Sequence, residues 1–322
     1  MRILCADGAG YIGAYLVPHL LAAGHRVTVL DAMWFVPHWL PTDNAHLRVI
    51  KGDVRNALLM RELCAGVDAV IWLASVSNND MCVRWPALAQ AVNVDALRPA
   101  VITAKHAGVG RFIYASSVAA YGSSDARALE ETDTLAGDTP YGKGKREAER
   151  VLWDHQDAHF ACTAVRAATA SGYSPAIRLD TTLHQMAYYA VRRRVISVNG
   201  GSQVRAHIHL RDLVELYKLL LVVDPGLIAG EAWNAVAENA TVMESAMMVA
   251  RVVGGVAIEV LPRADARSYA VAGTKARMRL GFSPVRSAED AVKEVQAVLA
   301  DGRWRDAETD ERFWRRSDAA GV

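Results

Sequence analysis

Tyr141 and Lys145 stand four residues apart in Tyr141-Gly142-Lys143-Gly144-Lys145, directly after Pro140. In a helix opened by that proline, the spacing puts a phenol and an ammonium on one face. An ammonium beside a phenol favours the phenolate, and a phenol drawn towards neutral pKa is a general base for an alcohol. Upstream, the apolar run from Phe112 delivers two serines, Ser116 and Ser117, just before Val118-Ala119-Ala120-Tyr121-Gly122. A serine at a strand end can bridge a substrate hydroxyl and the phenol, or simply bond to backbone. Tyr-x-x-x-Lys recurs by accident, so its meaning depends on what else the chain carries.

The chain also carries Gly8-Ala9-Gly10-Tyr11-Ile12-Gly13, after an apolar strand pattern and at the start of a helical one. In that setting Gly8 allows the tight turn, Gly10 lets a diphosphate approach the backbone, and Gly13 lets helix and strand pack closely. Asp31 ends the next strand pattern at the spacing of an acid that grips an adenosine ribose. No Lys or Arg follows in Ala32-Met33-Trp34-Phe35, which favours NAD over NADP. Asp53, in Gly52-Asp53-Val54-Arg55, can contact adenine or cap the following helix. An oxidised nicotinamide would supply a second positive charge to lower the pKa of Tyr141.

The elements that must position these groups alternate. Segments 3–6, 26–30, 47–51, 69–73, 111–116 and 162–166 read as strands, and 11–23, 54–65, 87–107 and 141–155 as helices. Near-continuous apolar strands between helices indicate an α/β fold, a Rossmann-like doubly wound parallel sheet over residues 1–166. Residues 167–322 read mainly as a smaller C-terminal substrate-binding lobe, some of whose segments can return to the first. The charged tail after Trp304 is expected to fray.

Of 322 residues 52% are hydrophobic, enough for a sizeable core, and 36 Lys plus Arg oppose 35 Asp plus Glu. That balance gives no reason to expect nucleic acid or an anionic membrane surface as a partner. No run approaches the roughly 20 apolar residues of a membrane span, and the start lacks the pattern of a signal peptide. Cys5, Cys64, Cys82 and Cys162 are too scattered for a metal or disulfide framework, so no metal and a cytoplasmic setting are expected.

The glycine turn, Trp72-Leu73-Ala74-Ser75, the serines before Tyr121-Gly122 and Thr139-Pro140-Tyr141-Gly142-Lys143-Gly144-Lys145 together resemble the extended short-chain dehydrogenase/reductase family of nucleotide-sugar epimerases and dehydratases. Arg205-Ala206-His207-Ile208-His209-Leu210-Arg211-Asp212, Asp265-Ala266-Arg267-Ser268-Tyr269 and Leu280-Gly281-Phe282 extend the resemblance over nearly the whole chain. It implies Tyr141 as acid/base, Lys145 on the nicotinamide ribose, and Ser117 as their partner, being four residues before Tyr121. It implies NAD held by Gly8, Gly10, Tyr11, Ile12, Gly13, Asp31, Asp53, Val54, Leu73, Ala74, Tyr141 and Lys145. A nucleotide sugar would meet Cys82, Ser117, His184, Arg205 and Arg267, the two arginines pairing with its diphosphate. His209 reads as a buried structural residue, and a homodimer through segments 87–107 and 141–155 is implied.

Asp7 stands where relatives usually have glycine, which brings a carboxylate close to the expected phosphates, and His184 where they usually have asparagine. Cys82 reads as a small packed residue or an acid/base beside a ketone. The aromatic run 34–39 reads as packing over the adenine edge or core, or as a partner patch. Val118 and Ala119 follow Ser117 where 4,6-dehydratases carry Asp-Glu and decarboxylases usually Glu. The expected reaction is therefore epimerisation at sugar carbon 4. Its rivals are a reductase or dehydrogenase with exchangeable cofactor, a 3,5-epimerase using Cys82, and a non-catalytic nucleotide-binding scaffold.

Overall fold

The computed structural model describes residues 1–34, 40, 41, 43–262, 267–301, 307 and 310–314. The first part of the chain runs β1 (Arg2–Ala6), α1 (Gly13–Ala22), β2 (Arg26–Asp31), β3 (Leu47–Lys51), α2 (Ala57–Cys64) and β4 (Ala69–Trp72). It continues as α3 (Asn79–Arg84), α4 (Pro86–Gln90), a π-helical turn (Ala91–Asp95), α5 (Leu97–His106), β5 (Arg111–Ser117), β6 (Ser124–Leu129), α6 (Pro140–His155) and β7 (Ala161–Ala167). Each of the six expected strands is present, displaced by at most one residue at either end.

After β7 come β8 (Thr169–Ser171), α7 (Thr182–Arg193), β9 (Val195–Asn199), β10 (Val204–His209), α8 (Leu210–Val222), α9 (Pro225–Ile228) and β11 (Glu231–Ala235). The last elements are β12 (Glu238–Thr241), α10 (Val242–Val253), β13 (Ala257–Leu261), β14 (Tyr269–Val271), α11 (Thr274–Leu280), α12 (Ala288–Ala300) and α13 (Glu311–Trp314).

Seven parallel strands form the main sheet in the order β11-β7-β5-β4-β1-β2-β3, reversing direction of winding at β1 and β4. Helices cover both faces, so β4 is buried at every position and β5 and β7 along their interiors. On one face Trp72 stacks on Phe112, whose ring meets the edge of Phe160. The seventh strand comes from residues 231–235, beyond residue 166, and extends the sheet at the β7 edge. The smaller sheets β12-β10-β8, β13-β9 and β14-β6 lie between these long-range returns.

Two expectations change. The single helix at 87–107 is three pieces, because the π-helical turn at 91–95 adds a residue to the winding and points Asn93 inward. The tail is also more ordered at one point than its charge suggests. Leu179 N donates to Phe313 O at 2.6 Å, and Trp314, only 2% exposed, stacks on Tyr189 and donates to Ala307 O. Apolar burial of one indole outweighs the solvation of the flanking charges there. Residues 302–306, 308, 309 and 315–322, like 35–39 of the aromatic run and Asp265 and Ala266, lie outside the described residues.

Candidate active site

The crevice at the C-terminal ends of the strands, where winding reverses, opens into a cavity of about 990 Å³. Its walls include Gly10, Asp31, Ser117, Tyr141, Lys145, Arg178, Arg205 and Arg267. Tyr11, Ile12, Gly13, Asp53, Val54, Leu73 and Ala74 line it as well, and Gly8 sits in the turn beneath. Residues separated by more than 250 positions thus face one space.

Local sequence explains how Tyr141 and Lys145 arrive there. Thr139 caps α6, its Oγ1 accepting from Gly142 N at 3.1 Å, and Pro140 occupies the first turn. The helix therefore starts where Tyr141 and Lys145 can share a face. Behind them, Glu149 on α6 binds Arg166 on β7 through both carboxylate oxygens and accepts from Ser116 Oγ at 2.5 Å. This buried group of charges ties α6 to the ends of β5 and β7. Ser116 is occupied by it, whereas Ser117 accepts from Ala119 N and hydrogen-bonds Tyr141.

The chain's own groups do not depress the phenol. Burial pushes Tyr141 up to about 12, against the pull of the Arg178 guanidinium and the Ser117 hydrogen bond. Lys145, whose Nζ donates to Ala115 O at 2.6 Å, is pushed down to about 8 by burial. For both groups desolvation outweighs the pull of the neighbouring charges.

The glycine turn fits a dinucleotide. A Cβ on Gly13 would collide with the carbonyl of Gly8 and stand 2.6 Å from its Cα, so only glycine allows this approach of helix to turn. Asp31 braces the turn, Oδ2 accepting from Ala9 N at 2.9 Å and Oδ1 from Met33 N at 2.7 Å, while it still faces the cavity. Tyr11 donates to Gly172 O and Ser174 donates to Tyr11 O, joining the turn to the segment after β8.

Two expected contacts, Cys82 and His184, are placed differently. Cys82 is fully buried behind Asn78 to Met81, which line the cavity, and its thiol faces Val76 O at 3.4 Å. Burial holds it up at about 11, so it is a packed thiol and no acid/base. His184 is buried with both ring nitrogens on backbone, Nε2 accepting from Gly172 N at 2.9 Å and Nδ1 donating to Arg178 O at 2.7 Å. It supports the loop and offers a sugar phosphate no donor. Asp53 does not cap α2, because Asn56 accepts from Leu59 N in that role. Its carboxylate pairs with Arg55, which holds its pKa down. His209 is a capping residue for α8, accepting from Arg211 N at 3.1 Å.

Arg178 and Asp180 in the cavity wall, and Asn93 behind it, were not apparent from sequence. Asn93 accepts from Val76 N at 2.7 Å and from Ser75 Oγ, fixing the loop after β4. Arg178 makes two bonds to Asp180 and one to Ser77 Oγ, while Asn78 donates to Asp180. Arg205 bonds Val204 O and Arg267 O, with its guanidinium over the Tyr269 ring at 5.7 Å. Trp34 lines the cavity and packs against the cluster that holds Val76, Met81 and Val92. Only the π-helical turn and distant loops bring most of these together, and neither leaves a local signal.

A model of the NAD dependent epimerase/dehydratase family matches residues 4–235. The chain belongs to this family. It is similar to UDP-glucose 4-epimerase of Streptomyces lividans, 28% identical over 314 residues that cover 89% of this chain and 92% of that protein. Similarity to dTDP-glucose 4,6-dehydratase of Streptomyces niveus is comparable, 26% over 320 residues and 94% of each chain. Among solved structures, MoeE5 in complex with UDP-glucose and NAD superposes with a TM-score of 0.82 at 25% identity, covering 94% of this chain and 99% of that one.

The protein is thus an enzyme of an NAD-dependent family with the Rossmann-like fold expected. No helix among the described residues is long and apolar enough to cross a membrane. With Asp31 facing the cavity, a 2′-phosphate would meet a carboxylate. NAD should bind at least about tenfold more tightly than NADP in calorimetric titrations. Equal affinities would show that Asp31 does not face the ribose.

Proposed function

We propose that the protein epimerises a nucleotide-linked sugar at carbon 4 by transient oxidation. The observation that carries this reading is the surroundings of Ser117. Val118 and Ala119 follow it, and the hydroxyl bonds Tyr141, so no carboxylate next to Ser117 is placed to drive loss of water. The relatives include 4-epimerases and 4,6-dehydratases, and this difference favours the former.

In the proposed reaction the Tyr141 phenolate removes the proton of a sugar hydroxyl and returns it once the carbon is reduced again. Ser117 holds the same oxygen, and Lys145 keeps positive charge beside the phenol. Bound NAD would supply the hydride acceptor and donor. Arg205 and Arg267 pair with the substrate diphosphate, which lets the sugar turn while the nucleotide stays held. The wall at Ala167, Ala168, Thr169 and Ala170 is built of small side chains, which supports room for that rotation. Residues 1–166 serve the dinucleotide and 167–322 mainly the nucleotide sugar, with β11 returning to the main sheet. Pairing of two copies through residues 87–107 and α6 belongs to the same proposal. Turnover in heavy water tests the reaction, because epimerisation by this route leaves no solvent deuterium on carbon.

A further inference from the structure

Asp7 has a left-handed backbone, φ 63°, directly before the three fingerprint glycines Gly8, Gly10 and Gly13. Its N donates to Leu30 O at 2.7 Å, which fixes the residue at the mouth of the β1–α1 turn. A left-handed conformation is costly for most L-residues and least so for Asp and Asn. Aspartate is therefore among the few residues besides glycine that this turn accepts at modest cost.

The side chain reaches the place that matters most for the cofactor. The face of Gly10 that a Cβ would fill is the face a diphosphate must approach, and Asp7 Oδ2 stands 3.1 Å from that point. Asp7 also lines the cavity. A carboxylate and a diphosphate are both anions seeking the N–H groups at the start of α1. They compete for one space and repel one another.

We propose that Asp7 sets how tightly the dinucleotide is held, weakening it enough for the cofactor to exchange with solution. An epimerase whose keto-sugar escapes after oxidation is left holding reduced cofactor. Exchange for oxidised NAD from solution restores the site, with the electrons leaving on the departing NADH. The proposal rests on NAD binding and applies equally to an epimerase and to a net dehydrogenase.

The test uses calorimetric titration of the whole chain with NAD, ADP-ribose and adenosine, for the natural protein, Asp7→Asn and Asp7→Gly. Asparagine keeps the shape and the tolerance of positive φ but removes the charge, and glycine also removes the strain. Asp7→Asn should tighten NAD and ADP-ribose by about tenfold or more, some 1.4 kcal/mol, and leave adenosine, which has no phosphate, within about twofold. Asp7→Gly should tighten the first two at least as much. Unchanged or weaker NAD binding in Asp7→Asn would overturn the proposal. An equal gain for adenosine would overturn it too, by showing a general effect on the fold rather than a clash with phosphate.

Discussion

Replacing Tyr141 with phenylalanine should lower turnover by about 10²–10⁴-fold, the usual loss when a general acid/base is removed, while NAD affinity changes no more than a few-fold. The residue packs against the buried cluster of Val76, Met81, Cys82, Leu88, Ala89 and Val92, and phenylalanine keeps that packing. Only the hydroxyl that bonds Ser117 is lost. The neighbouring thiol offers no substitute, since Cys82 is buried and held up at about 11. Steady-state kinetics beside calorimetry separates the two quantities. Turnover near that of the natural protein would remove Tyr141 from the acid/base role.

Gly13→Ala should be the most damaging single change to the cofactor site. The added Cβ meets the Gly8 carbonyl and lies 2.6 Å from Gly8 Cα. Backbone on both sides leaves no flexible side chain to give way, so the turn itself must move. Overpacking of this kind costs about 1–3 kcal/mol, which corresponds to roughly 5- to 150-fold weaker NAD binding if it falls wholly on the bound state. Gly24→Ala provides the contrast. Gly24 has φ 82° but open space around it, so alanine there costs conformational strain of about 1 kcal/mol and leaves NAD affinity alone. Equal loss of NAD affinity in both variants would mean that the close approach at Gly13 has no special part in holding the cofactor.

Much of this fold was legible in the sequence because a parallel sheet covered on both faces needs strands such as Ala69–Trp72 that are apolar at every position. The glycine turn and the Tyr141 to Lys145 spacing are equally local, so their elements followed from composition and period alone. The remainder depends on contacts between distant segments. Nothing near residues 231–235 says that they extend the main sheet beside β7. The π-helical turn that aims Asn93 at Val76 breaks a pattern that reads as one continuous helix. His184 shows the opposite failure. Its alignment with a ligand position in relatives suggested a contact, whereas the local fold spends both its nitrogens on Gly172 and Arg178 backbone. Cys82 likewise follows β4 as expected, but on the short helix α3, where it faces inward, which a sequence period over so few residues does not resolve.

The most direct measurement of the central proposal is turnover of nucleotide sugars in heavy water, followed by mass spectrometry and NMR of the sugar ring. Withdrawal and return of one hydride at one carbon predicts an epimeric product with no carbon-bound deuterium and no net change in added NAD or NADH. A 3,5-epimerase must instead remove a proton beside a ketone and exchange it with solvent. Deuterium on the ring, stoichiometric consumption of NADH, or no conversion of any nucleotide sugar would contradict 4-epimerisation through Tyr141.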